Sequence, residues 1–428
     1  MRKTKTTVGV VLAASVLLAF GACSTTPSNP GSSSPASQAT GSKILSVATD
    51  NPAPMKAVIE AFKKVHPDIV VTTQEAPTGY EEFLRTALAA GTAADVIRTF
   101  PGTAAVTTVG KLVAANALVD LSDSSWASQL SGSQKAGFGV NGKIYSVPIG
   151  ALALGPVYNE TTLSALGVSI PKTFTEVLNL CAKAKAQGKV AYSVFLKGGS
   201  GLLTFTQTET LVYGPNPNFT TEQIAGKQSF AKSGWLTAFE LQKQMLDAGC
   251  FNDGATGTEW STSFQAVADG SAVATIAFSD VSGITALAPA GTKITIAPLP
   301  VDDSGNLWLG VSDSSGYGVN AKSPNQALAK QFLDFMASPE GQNAYASTGG
   351  APALPNTSFQ PTDQNQQVML DYVNAGKTAG WPDQLWVGAE SGKVLNDMSQ
   401  AIFLGTVTPQ QAVEKLDAAF ATDLAAAK

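Results

Sequence analysis

The sequence predicts an α/β protein of two domains, its first part a mostly parallel sheet with helices on both faces. Three observations carry that reading. The chain has 428 residues, 44% hydrophobic and 14% charged, which is globular material too long for one compact core. Past residue 42, short apolar strands alternate with amphipathic helices, the pattern of a parallel sheet. The middle of the chain changes character, with a long apolar crossover, further helices and the buried strand Ala272 to Phe278, and no internal sequence repeat.

The chain opens on a leader. Arg2, Lys3 and Lys5 precede an apolar stretch of 13 residues, Val8 to Phe20, followed by Gly21-Ala22-Cys23. This reads as a secretory signal peptide over 1–22, too short to span a bilayer as a stop-transfer helix. Cys23 stands where a bacterial lipobox places its lipidated cysteine, although Phe20 occupies the position usual for Leu. Ser24 to Ser42 is nearly pure Ser, Thr, Pro, Gly, Ala, Asn and Gln. Such a stretch cannot pack a core, and 23–42 is expected to be a tether with a reach of roughly 25 Å. The expected location is extracytoplasmic, on the outer face of the cell membrane.

The body begins with Lys43 to Thr49 as a strand. Met55 to His66 follows as a helix, apolar at Met55, Val58, Ile59, Phe62 and Val65, and Pro67 ends it. Asp68 to Thr73 is a second strand. Tyr80 to Ala90 is a helix broken by Gly91, Asp95 to Thr99 a third strand, and Thr103 to Ala115 a short helix. Asn141 to Pro148 looks like a hairpin strand continuing as an apolar crossover to Tyr158. Helices are expected up to Ala186, near Thr204 to Val212, and over Trp235 to Ala248. After the strand Ala272 to Phe278 come strands near Lys293 to Pro298 and Gly316 to Asn320. A helix over Gln326 to Met336 follows, and the tail is helical over Val394 to Phe403 and Pro409 to Ala426.

Composition excludes several classes of function. Without the three basic residues of the leader, 24 basic side chains face 32 acidic ones, a net charge of −8. No basic stripe appears, so nucleic acid is not an expected partner. The one histidine, His66, ends a helix, and no G-x-S-x-G elbow occurs, so nucleophilic triads are disfavoured. Metal-type His or Cys spacings are absent, and neither a metal nor a cofactor is expected. A pair of carboxylates acting on a glycoside needs no visible motif and stays open as a distant alternative. Cys181 and Cys250 remain once Cys23 is set aside. In an exported chain they are expected to form a disulfide, the alternative being two separate buried thiols.

In open α/β sheets ligands sit beyond the carboxyl ends of the strands. Those ends are Asp50-Asn51 and Thr99-Phe100, with the helix start Tyr80-Glu81 in the same neighbourhood. All six residues are therefore candidate ligand contacts.

The order and spacing of three stretches resemble a known family. They are Lys143-Ile144-Tyr145-Ser146-Val147-Pro148 with Val157-Tyr158-Asn159 beyond it, Gly270-Ser271-Ala272-Val273-Ala274, and Gly318 to Asn325 running into Ala329-Lys330-Gln331-Phe332-Leu333. The chain is similar to the maltose-binding-protein-like extracellular solute-binding proteins of carbohydrate ABC importers. The resemblance implies a two-lobed periplasmic-binding-protein fold of type II, closing by hinge motion on a sugar. It implies crossovers near Gly150–Leu152, Ala297–Leu299 and Phe335–Pro339. The amino-terminal lobe would be 43–151 plus 298–336, and the carboxy-terminal lobe 152–297 plus 337–428. The partners implied are a sugar and the permease subunits of an importer, for a protein acting as a monomer; a polyamine or organic acid is the alternative ligand.

The resemblance also implies site residues. Phe278-Ser279-Asp280 stands where the family presents an aromatic beside polar groups; otherwise Phe278 is core and Asp280 a helix cap. Trp308 and Asp313 lie near the expected cleft floor, or in a polar loop over a core Trp. Trp381 and Trp386 belong to a loop from which relatives bring an aromatic into the cleft, or else they cap the tail helices. Lys197 to Gly201 is a weak anion-cradle candidate, where maltose-type relatives carry acidic and aromatic groups.

Overall fold

The computed structural model describes residues 43–198 and 201–427. The leader, Cys23, the tether, and Gly199 and Ser200 of the glycine loop lie outside the described residues. The strands are β1 (Lys43–Thr49), β2 (Ile69–Glu75), β3 (Val96–Thr99), β4 (Gly139–Val140), β5 (Lys143–Ile144), β6 (Val147–Asn159), β7 (Val190–Ser193), β8 (Ala272–Phe278), β9 (Ile294–Ile296), β10 (Leu309–Val319) and β11 (Thr378–Ala379). One sheet runs β2-β1-β3-β10-β6-β8-β7, with β11 on β10 and β9 on β6, while β4 and β5 form a separate hairpin.

The first half has the expected β-α-β opening. β1 pairs in parallel with β2 and β3. The helix Pro52–Val65 starts on a proline, which its first turn tolerates, and buries Met55, Val58 and Phe62 along one stripe. Gly91 ends the helix Tyr80–Ala90 in the left-handed conformation at φ 71, donating its N–H to the last turn. Two cores cover the two faces of this sheet: one holds Leu45, Val47, Phe62, Val96, Val147 and Phe332, the other Ala48, Leu84, Ile97 and Phe138.

The second half is mixed: β7 and β8 are parallel, while β6 pairs antiparallel with β8 and β9. Leu154 and Tyr158 point into one core with Trp235 and Phe239. Their neighbours Ala153 and Val157, one residue out of phase, point into the core on the opposite face. Cys181 of the helix Phe174–Ala186 is disulfide-bonded to Cys250, just past the helix Gly234–Asp247.

Two long strands join the halves. β6 and β10 are antiparallel partners from Val147↔Tyr317 to Leu154↔Gly310, and their opposite ends enter different cores. Gly150 sits in the middle of β6 with φ +72, and the Tyr345 ring lies 2.6 Å from where a Cβ would be. Any side chain there meets both a strained backbone and an aromatic wall. The second and third crossings fall later than the resemblance implied. Leu299 and Val301 pack in one core of the second half and Leu309 in the core on its other face, so the return passage is the middle of β10 instead of 297–299. Tyr345 and Leu354 pack in the first half, so the helix Pro339–Ala346 stays with it and the chain crosses after that helix. Residues 310–316, for which a polar loop is the alternative sequence reading, are strand. Their small polar side chains suit a strand whose middle lies between two cores instead of inside one.

Candidate binding cleft

A cavity of about 770 Å³ opens between the halves, within the roughly 300–1,000 Å³ usual for small-molecule sites. The carboxyl ends of β1, β3 and β8 converge on it, bringing Asp50, Arg98 with Phe100, and Phe278. Trp381, Asp383 and Gln384 line it from the second half, and Leu152 and Ser314, in the middles of β6 and β10, from between. A hollow of about 900 Å³ between the helix Pro52–Val65 and β2 is larger, but it is lined from one half only and holds no aromatic ring.

The wall from the first half is preorganised. The buried Arg98 guanidinium bonds the Asp50 carboxylate and lies 5.1 Å from the centre of the Phe100 ring, a cation–π distance. The Tyr80 hydroxyl donates to the Arg98 carbonyl at 2.9 Å. Burial, and then the Asp50 charge, push that hydroxyl well above the usual tyrosine range, so Tyr80 is a neutral donor already spent on the backbone. Asp50 and Phe100 are thus both held by the Arg98 side chain. Glu81 adds an exposed carboxylate at the helix start.

The wall from the second half is aromatic. Phe278 and Trp381 pack with ring centres 5.0 Å apart at 45°, both partly exposed. Their faces suit the C–H face of a sugar ring. Asp383 beside them supplies a carboxylate that desolvation pushes up to about 6, and Gln384 lines the edge with an amide already bonded to β10. The sequence signal for these two was their position inside the Trp-containing loop already singled out.

The candidates therefore divide. Asp50, Tyr80, Glu81, Phe100, Phe278 and Trp381 line the cavity. The other seven do not. Asn51 stands at the N-cap position of the helix Pro52–Val65 without a side-chain capping bond, its N–H donating to the Thr49 hydroxyl at 3.0 Å. Thr99 is buried, its hydroxyl 2.6 Å from that of Ser146. The Ser279 hydroxyl accepts the Ala153 N–H at 3.0 Å. Asp280 takes the Ser282 N–H at 3.1 Å, turning the chain into the next helix. Trp308 packs under Lys377, whose ammonium lies 4.6 Å from its ring centre. Asp313 receives the Gln134 amide at 3.3 Å, and burial pushes its carboxyl up to about 7. Trp386 is 1% exposed, packed among Phe205, Phe230 and Trp235. Of the loop tryptophans, one faces the cavity and the other is core.

Among the described residues no cluster of metal-ligating side chains occurs, and no helix is long and apolar enough to cross a membrane.

Two α/β halves joined by crossing strands, with a cavity lined from both, define the class of two-lobed binding proteins. The chain belongs to the bacterial extracellular solute-binding protein family, which it matches over residues 46–343. It is 25% identical over 368 residues to the melibiose/raffinose/stachyose-binding protein MelE of Bacillus subtilis, covering 83% of each chain. It is 23% identical to the multiple sugar-binding protein of Streptococcus mutans, covering 78% of this chain and 80% of that one. The fold matches a family 1 extracellular solute-binding protein from Bifidobacterium longum subsp. infantis at TM-score 0.68 and 22% identity, over 89% of this chain and all of the other. It also matches the raffinose complex of RafE at TM-score 0.69 and 20% identity, over 89% and 99%. These relatives are binding proteins.

Proposed function

We propose that this protein captures a sugar between its two halves and delivers it to the permease of an ABC importer, while tethered to the membrane through a lipid on Cys23. The observation that carries the reading is the pairing of walls. Phe278 and Trp381 offer ring faces on one side, and Asp50 and Glu81 offer hydroxyl acceptors on the other. Relatives named for raffinose and stachyose support the ligand class. A sugar touching both walls is bound more tightly when the halves are closed, so it shifts the population toward that form, which the permease would read. In this reading the amino-terminal lobe is 43–149 with 316–346 and the carboxy-terminal lobe is most of the remainder, acting as a monomer. The chemistry is capture, and the sugar is released unchanged.

Glu81 and Asp383 favour one second reading, a cationic solute such as a polyamine held by carboxylates and ring faces. A thermal-shift panel of raffinose, stachyose, melibiose and spermidine with the mature chain separates the two. A ligand at 100 times its Kd adds about 2.7 kcal/mol of stability. A shift with spermidine and none with any sugar would replace the sugar reading.

A further inference from the structure

The segment that carries Trp381 into the cleft is held from three directions. Its far end, Trp386, is locked in the core of the second half. Its outer side meets the loop after β3: a Cβ on Gly102, which has φ +88, would collide with the Gln384 carbonyl, and the Thr103 hydroxyl donates to the Trp386 carbonyl at 3.1 Å. Its inner side rests on β10 through one side chain. Gln384 Nε2 donates to the Asp313 carbonyl at 3.0 Å, and Gln384 Oε1 accepts the Ser312 hydroxyl. These are the only hydrogen bonds from the turn Pro382–Leu385 to β10 among the described residues.

We propose that Gln384 is a positioning residue of the ligand cleft, acting through Trp381. Its amide ties the aromatic platform to the strand that passes between the halves. The turn itself is weakly braced: its internal backbone bonds are Gln384 N–H to Trp381 O at 3.3 Å and Trp386 N–H to Asp383 O at 3.1 Å. Without the amide, the Trp381 ring would be set by Phe278 and by a backbone pinned at its ends, where Ala379 pairs with Gly310 of β10 and where Trp386 enters the core, with nothing tying the turn between them to β10. The anchor points matter as much as the bonds. Ser312 is the cross-strand partner of Leu152, and both Leu152 and Ser314 line the cavity. Gln384 therefore fixes the platform relative to the cavity floor, whatever the rest of the second half does.

The chemistry selects glutamine. One end must donate to a carbonyl and the other accept from a hydroxyl, which an amide does and a carboxylate does not. Glutamate would set an oxygen against the Asp313 carbonyl, and asparagine is one methylene shorter. Because the Gln384 carbonyl is also where Gly102 touches, the same residue lies at the meeting of the two halves.

Part of the test needs no ligand, so it stands apart from the sugar reading on which the proposal's binding consequence rests. Gln384→Met keeps the length and removes both bonds. Hydrogen exchange of the peptide spanning 380–386 should rise about tenfold, the scale of losing such bonds, with the melting temperature and exchange elsewhere in the second half unchanged. Unchanged exchange at 380–386, or an increase spread over the whole half, would overturn the proposal. Should Gln384→Met fail to fold, Ser312→Ala cuts one bond from the β10 side and should raise exchange in the same peptide to a smaller degree. With raffinose as the probe, Gln384→Met should weaken binding about tenfold in the wild-type chain and less than about twofold in a Trp381→Ala background, because it acts through that ring. Equal losses in both backgrounds would also overturn it. If raffinose does not bind the wild-type chain, the sugar reading falls and the exchange result still decides on Gln384.

Discussion

Replacing Phe278 by Ala separates a ligand platform from a core residue, because the two roles have different magnitudes. A fully buried Phe costs about 3–5 kcal/mol of stability when cut to Ala. Phe278 is only partly buried: its ring faces the cavity and Trp381, while its rear packs against the core of the second half. The stability loss should therefore stay near 1–2 kcal/mol, part of it the ring–ring contact, worth about 0.5–1.5 kcal/mol. If the exposed face stacks on a sugar, affinity should fall by about 1–3 kcal/mol, a roughly 5- to 150-fold rise in Kd. Titration calorimetry with raffinose, paired with a melting curve, reads both quantities on the same variant. An unchanged Kd with a collapsed melting temperature would return Phe278 to the core and remove it from the cleft.

Three further predictions test other parts of the account. Reducing Cys181–Cys250, which closes a loop of 69 residues, should cost on the order of 4 kcal/mol in the chain-entropy treatment. Calorimetric melting should show the loss while ligand affinity holds, since both cysteines lie outside the cleft. Burial raises the Asp313 carboxyl to about 7, against the smaller opposing effect of Gln134. The folded chain then holds that proton more tightly than the unfolded one, and stability is lost as pH rises from about 4 to 7. Asp313→Asn should accordingly gain melting temperature relative to wild type across that window and keep a constant gain above it; a pH-independent difference would contradict the assignment. Cys23→Ala should move the protein from the membrane fraction to the soluble one, and continued full membrane partition would remove the lipid anchor.

Much of the fold was legible because its elements obey simple periodicities. The stripe Met55, Val58, Phe62 and the run Ala272 to Phe278 announce a helix and a buried strand without reference to anything distant. The strand-end rule also found half the cleft, since Asp50 and Phe100 end strands that tertiary structure has only to bring together. What failed was whatever depends on facing. Ser279 and Thr99 stand beside true lining residues, but strand alternation turns their side chains the other way. Trp381 and Trp386 are equivalent in sequence, and only the packing of Phe205, Phe230 and Trp235 decides that Trp386 is core. β10 was missed in its middle because its small polar residues look like a loop, and they are small and polar because that stretch crosses between cores. Gln384 and Arg98 act by holding other residues in place, a role with no local sequence signature.

If the cleft between the halves holds a sugar, calorimetric titration of raffinose into the mature chain should give saturable heat at one sugar per chain. That heat should be abolished or strongly weakened when Asp50 and Phe278 are both replaced by Ala, with the sugar recovered intact. Heat that persists undiminished in that double variant would place the site elsewhere, and recovery of cleaved sugar would make the protein a catalyst instead of a receptor.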